Sequence, residues 1–173
     1  GDSGTGADPF RIFESEIENT NANVILEAEE NITVSGDFGG DELLITPNNN
    51  LVLRISNNNN PGVIDLTTAD EGRTLLIRTQ GTGAITLEGS AGGANAGDIR
   101  VGLLRSDTGD ITLQTNNGTI YLGNDIQTDG GDVTILGQTV LEDAITVDTE
   151  LGDNSVAGAV DFSGAMISRT AVT

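Results

Sequence analysis

Two eight-residue segments of the chain carry nearly the same sequence. Residues 106–113 read SDTGDITL and residues 128–135 read TDGGDVTI, so the second copy begins 22 residues after the first. Each copy ends in a frame of Gly, any residue, Ile or Val, any residue, and another aliphatic residue. Apolar residues that alternate with polar ones are typical of a β-strand with one buried face. The chain therefore repeats a strand and the corner that precedes it.

The same frame recurs along most of the chain, and its strands sort into two interleaved series. Steps within the series range from 19 to 27 residues, which suits a parallel β-solenoid whose circuits consist of short strands and tight corners. The first series passes through Val24, Ile45, Ile64, Ile85, Ile111, Val133 and Val160. The second passes through Val34, Leu53, Leu76, Ile99, Ile120 and Ile145.

Each series is expected to form one face of an all-β, right-handed parallel β-helix (β-solenoid) of about six to seven coils, roughly 30 Å long. Ile111 should then stack on Val133 inside, and Thr112 on Thr134 outside. An antiparallel β-sandwich is the main alternative, because it also consists of short alternating strands. It is disfavoured because hairpin loops would give more varied spacings.

The domain boundaries follow from where the repeat begins. Residues 1–21 are expected to be an irregular N-terminal segment or linker, in which only residues 8–17 could hold a turn or two of helix and Phe10 and Phe13 cover one edge of the core. Residues 22–173 are expected to form the repeat domain, an excerpt of a longer chain or fibre.

The composition restricts the core and the partners. Only 3% of the residues are aromatic, so aliphatic side chains must fill the interior, and 24 glycines supply turns. The 27 acidic residues against 7 basic ones give a formal net charge of −20, which disfavours nucleic acid and anionic membranes as partners. The chain has no cysteine for disulfides or thiolate metal sites. No apolar run reaches the roughly 20 residues of a membrane span.

Several of these phrases resemble a known family. The residues 23–28 (NVILEA), 31–34 (NITV), 109–120 (GDITLQTNNGTI) and 129–135 (DGGDVTI) are similar to the repeat regions of filamentous haemagglutinin-like proteins. These are large secreted bacterial proteins, including cyanobacterial ones. The resemblance covers about residues 22–165. It implies a right-handed parallel β-helix, export across the outer membrane, and a role in adhesion or as a surface fibre. The N-terminal secretion domain that defines the family's export route is absent from this sequence.

Acidic corner residues are the candidate site. Asp110 and Asp132 should lie one coil apart on the outside, with Asp107 and Asp129 at the preceding corner. Asp and Gly favour turns, so a structural corner is the simplest interpretation. A calcium ion would relieve the repulsion between stacked carboxylates, which makes these four residues calcium-ligand candidates. No other cofactor is expected. Catalysis as in β-helical polysaccharide-degrading enzymes is less favoured, because the chain has neither His nor Lys.

Two further surface features bear on function. Thr86, Thr112 and Thr134 should form an outward column, with Asp65 below it and Asp161 above it. Glycan sites usually offer an aromatic platform, and Tyr121 is the only tyrosine.

The C-terminal region continues the apolar rhythm without a polar cap, through Val160, Phe162, Met166 and Ile167. The uncapped end predicts stacking with adjacent repeats or with other copies end to end. We therefore expect a non-enzymatic extracellular fibre or adhesive segment at the bacterial cell surface. An extracellular module that binds calcium, or glycans of the host or matrix, is the alternative.

Overall fold

The regular secondary structure of the described part of the protein is nearly all β. The computed structural model describes residues 11–34, 42–56, 61–67, 74–89, 97–152 and 156–168. Of these residues 53% lie in strands and 4% in helix, which confirms the all-β prediction. The helix α1 spans Glu14–Glu18. The strands are β1 Val24–Ala28, β2 Asn31–Thr33, β3 Glu42–Leu44, β4 Leu51–Ile55, β5 Gly62–Asp65, β6 Leu76–Arg78, β7 Ile85–Glu88, β8 Gly97–Val101, β9 Leu103–Arg105, β10 Ile111–Leu122, β11 Ile126–Gln127, β12 Val133–Leu141, β13 Val147–Asp148, β14 Val160–Ser163 and β15 Met166–Ser168.

These strands pair in parallel and form three ladders, which the chain visits in the same order on each circuit. The long strands β10 and β12 belong to the first ladder with their N-terminal parts and to the second with their C-terminal parts. The first ladder is β1-β4-β7-β10-β12-β14, the second is β2-β5-β8-β10-β12-β15, and the third is β3-β6-β9-β11-β13.

The two similar segments lie where the sequence predicts. Ile111 is in register with Val133, and Thr112 is in register with Thr134. The pairing of β10 with β12 is parallel, as are the other strand pairings of the described part, so the antiparallel β-sandwich alternative is wrong. The repeated phrase is one strand and one corner on two successive circuits.

The grouping into two series is wrong, because the strands form three ladders. Ile64 lies in β5 of the second ladder, and Ile45 directly follows β3 of the third, where its N–H donates to the carbonyl oxygen of Arg78. Leu53 pairs with Leu87 in the first ladder. Successive rungs are 19 to 35 residues apart, a wider range than the steps of 19 to 27 residues within the two series, because the circuits in the N-terminal half are longer. Alternation identifies the inward residues but cannot assign a strand to a ladder.

The aliphatic core lies between the three ladders. Along β4 and β10 buried residues alternate with partly exposed ones, as expected for strands with one face inward. A single hydrophobic cluster contains residues from all three ladders, for example Ile111, Ile99 and Leu104, each fully buried. The outward side chains of the ladders are consequently the surface on which a site could form.

The helix α1 lies against the first strand of the third ladder. Ile17 is buried and packs against the core, and Glu18 accepts a hydrogen bond of 3.0 Å from the N–H of Leu44 in β3. Phe13 is 69% exposed, so the prediction that it covers the core is wrong. Ile17 of the short helix packs against the core instead. Phe10 lies outside the described residues.

Candidate functional site

Asp110 and Asp132 occupy equivalent positions just before β10 and β12. Oδ1 of Asp110 accepts a hydrogen bond of 2.9 Å from the N–H of Asp132, and Oδ1 of Asp132 accepts one of 2.7 Å from the N–H of Ala159. Asn23 binds the N–H of Asn50 in the same way, at 2.9 Å. Asn and Asp side chains at this corner thus accept hydrogen bonds from backbone N–H groups of the next circuit. Asp110 and Asp132, two of the calcium-ligand candidates, therefore have a structural role.

Asp107 and Asp129 lie at the adjoining corner, on neighbouring circuits. Asp107 accepts a hydrogen bond of 3.0 Å from the N–H of Gly81 and lies 3.6 Å from the guanidinium of Arg78. The N–H of Asp129 donates to the carbonyl oxygen of Asp107 at 2.7 Å. Among the described residues, no group of three or more acidic side chains is arranged to hold a metal ion. The four candidates are therefore close in pairs rather than gathered in one cage.

Buried hydroxyl groups line the inner side of this corner, and the sequence analysis did not identify them. Ser106 donates to the carbonyl oxygen of Gly83 at 3.0 Å, and Thr128 donates to that of Gly131 at 2.6 Å. Both side chains are fully buried. Thr79 is at the equivalent position and equally buried, but its hydroxyl has no hydrogen-bond partner. A Ser or Thr directly before the corner Asp is the sequence signal that could have revealed Ser106 and Thr128, whereas Thr79 precedes Gln80 and carries no such signal.

The outward threonine column exists with one correction. Thr86, Thr112 and Thr134 are in register, and Asp161 lies above Thr134. The residue below Thr86 is Val52, whereas Asp65 pairs with Arg100 in the second ladder. Asp65 was expected in this column because its neighbour Ile64 was assigned to the first series. Both residues lie in β5, which belongs to the second ladder.

Two arginines contact outward side chains of neighbouring circuits in the first and second ladders. Arg54 lies between Glu27 and Glu88, with an ion-pair distance of 3.7 Å to Glu27 and a hydrogen bond to Glu88. This hydrogen bond, together with the attraction of both carboxylates, raises the pKa of Arg54 above its usual value. Arg100 covers the ring of Tyr121, at 4.3 Å from its centroid. One face of the ring of the only tyrosine is therefore covered by Arg100.

The C-terminal ends of the first and second ladders carry apolar side chains that the structure leaves exposed. Val160, Phe162 and Met166 continue the inward columns of Val133, Ile135 and Thr139, yet they are 44%, 36% and 49% exposed. At the opposite end Val24 of β1 is only 8% exposed. Exposed apolar side chains in a contiguous group commonly mark an interaction surface. This open end, defined as β14 and β15, is the strongest candidate for a functional surface.

Comparisons with protein-family models, curated proteins and solved structures found no match to this chain.

Within the described residues, no helix is long and apolar enough to cross a membrane.

Proposed function

We propose that this chain is a non-enzymatic structural or adhesive segment of a secreted bacterial cell-surface protein, as its resemblance to filamentous haemagglutinin-like repeats implies. The strands would wind as a right-handed parallel β-helix of about six to seven coils, since parallel crossovers are almost always right-handed. Three parallel ladders visited in a constant order support this winding.

The observation that carries the proposal is the open end. Inward columns run through the ladders and reach β14 and β15 with their last apolar side chains exposed. Each further circuit would extend the rod by about 4.8 Å and bury these side chains. A strand edge that accepts another parallel strand is suited to a rod or fibre that grows by coil stacking.

Shape is the direct test of this function. Small-angle scattering from the isolated chain should fit a short cylinder, and negative-stain images of the full-length protein should show extended fibres or stalks. Short, isolated particles from full-length material would contradict the proposal. Failure of the full-length protein to mediate attachment to glycan-coated or matrix-coated surfaces would leave a structural role rather than an adhesive one.

A calcium-binding module is the second candidate, because Asp110 and Asp132 lie on neighbouring circuits about 4.8 Å apart and their negative charges repel each other. Addition of calcium to chelator-treated protein would then raise the melting temperature by roughly 4 °C or more, in proportion to the ligand's binding free energy. Magnesium at equal concentration is the control for ionic strength. A calcium shift no larger than the magnesium shift would contradict this candidate.

A further inference from the structure

The sequence contains one Asn-Gly dipeptide, Asn117-Gly118, and it lies inside the strand β10. Asn-Gly is chemically labile, because glycine has no Cβ to keep its backbone nitrogen away from the side-chain amide of the preceding asparagine. Residues 115–118 lie between two paired stretches of β10, since the register with β12 shifts between Gln114 and Thr119. The labile dipeptide is therefore held by strand pairing on both sides.

The two groups that react in deamidation have different surroundings. The side chain of Asn117, which carries the amide carbon, is exposed, whereas Gly118 is buried. The N–H of Gly118 donates a hydrogen bond of 3.1 Å to Oγ1 of Thr115. Thr115 is itself only 4% exposed, and its hydroxyl donates to the carbonyl oxygen of Gly97 on the preceding circuit at 2.7 Å. The nitrogen that would attack the amide is thus buried and hydrogen-bonded.

We propose that Asn117 is a deamidation site and that the hydroxyl of Thr115 slows its reaction. The backbone nitrogen of Gly118 loses its proton and attacks Cγ of Asn117, a cyclic imide forms, and the side-chain nitrogen leaves as ammonia. Solvent water, the other reactant, then opens the imide at either carbonyl, which gives aspartate or isoaspartate and adds a negative charge. This inference goes beyond the proposed function and does not rest on it.

Isoaspartate would disturb this corner, because it adds a methylene group to the main chain. Successive circuits already lie very close here: a Cβ atom on Gly118 would lie 2.2 Å from the carbonyl oxygen of Gly97. A Cβ atom on Gly137 of the following circuit would lie 2.8 Å from Cγ2 of Thr115. A main chain lengthened at Asn117 has no room within this packing, so the modification would loosen the contacts of β10 with both neighbouring circuits.

The one Asp-Gly dipeptide of the sequence, Asp129-Gly130, provides an internal reference. It forms a cyclic imide by the same attack, with water as the leaving group. The N–H of Gly130 donates a hydrogen bond of 2.9 Å to the carbonyl oxygen of Thr149. Because this acceptor belongs to the backbone of another circuit, a substitution at Thr115 leaves it in place. The rate of isoaspartate formation at Asp129 should therefore not change in Thr115 variants.

Rates of modification at Asn117 test the inference. Purified protein is incubated in mildly alkaline buffer, and peptides from a protease digest are separated and identified by mass spectrometry. The folded protein should deamidate at least about tenfold more slowly than a synthetic peptide of residues 114–120, because the strand must open first. Thr115→Val should accelerate deamidation about fivefold, the factor that one hydrogen bond of ordinary net strength represents. Thr115→Ser keeps the hydroxyl and should leave the rate unchanged.

Thr128→Val is the matched control, since it also removes a buried hydroxyl that donates to a backbone carbonyl, that of Gly131. It should deamidate at Asn117 as slowly as the natural protein. Equal acceleration by Thr115→Val and Thr128→Val would show that general destabilisation controls the rate, and it would overturn the inference. So would natural protein that deamidates as fast as the peptide, a comparison that needs no variant. Scattering that fits a cylinder would leave the proposed function intact in either case.

Discussion

Glycine at the corner is required by the close approach of successive circuits. A Cβ atom on Gly131 would lie 2.1 Å from the carbonyl oxygen of Gly109, and one on Gly158 would lie 2.1 Å from that of Gly131. Both contacts involve backbone atoms, which cannot move aside without shifting a whole rung. The glycine of the repeated frame therefore reflects backbone packing rather than a binding function.

Gly131→Ala is expected to destabilise the protein by about 3 kcal/mol, because overpacking against backbone forces a rung to move. Gly123→Ala is the matched control, since its Cβ would meet only a side-chain atom of Glu142 at 4.0 Å. Urea unfolding followed by circular dichroism measures both variants. Equal midpoints for the two would contradict the packing argument.

The buried hydroxyl column predicts opposite effects of one substitution at two equivalent positions. Thr128→Val should cost about 1–2 kcal/mol, because it leaves the buried carbonyl of Gly131 without its donor. Thr79→Val should stabilise by about 1 kcal/mol, because it removes a buried hydroxyl that has no partner. Thermal unfolding of the two variants shows whether the hydrogen bond of the hydroxyl, or a general preference for threonine at the corner, determines the stability. A loss of stability in both would contradict it.

Corners before the strands of the first ladder depend on an acceptor rather than on a negative charge. Asp132→Asn keeps the oxygen that binds the N–H of Ala159, and it removes the repulsion from Asp110. It should be neutral or stabilise slightly, whereas Asp132→Ala should cost about 0.5–1 kcal/mol for an exposed hydrogen bond. Melting curves at low salt measure the difference. If Asn destabilised as much as Ala, the charge itself would be required, and a bound cation would become the better explanation.

The charge of the whole molecule should make its stability strongly dependent on salt. Carboxylates carry most of the surface charge, and the net charge of −20 repels itself in the compact state. Raising NaCl from about 0.02 M to about 0.5 M shortens the Debye length from about 20 Å to about 4 Å, which should raise the melting temperature by several degrees. KCl should act equally, and sucrose at the same osmolarity serves as the uncharged control. A melting temperature that does not respond to salt would contradict this expectation.

Agreement between the sequence prediction and the structure is closest where the circuits are short. The pairs Ile111 with Val133 and Thr112 with Thr134 are correct, because two adjacent circuits carry nearly the same segment at a spacing of 22 residues. For the acidic residues, the sequence predicted neighbouring positions for Asp110 and Asp132 but could not identify the backbone N–H groups that their carboxylates bind. Those partners belong to the next circuit and depend on its exact register.

The sequence by itself determined an all-β chain with an aliphatic interior and like residues on successive rungs. It did so because side chains alternate with a period of two along a strand, which decides which residues face inward. Only the tertiary structure decided that there are three ladders rather than two, and that Ile64 and Asp65 belong to the second. The inward positions of every ladder accept the same aliphatic residues. Which strand pairs with which therefore depends on the number of residues in the corners of each circuit.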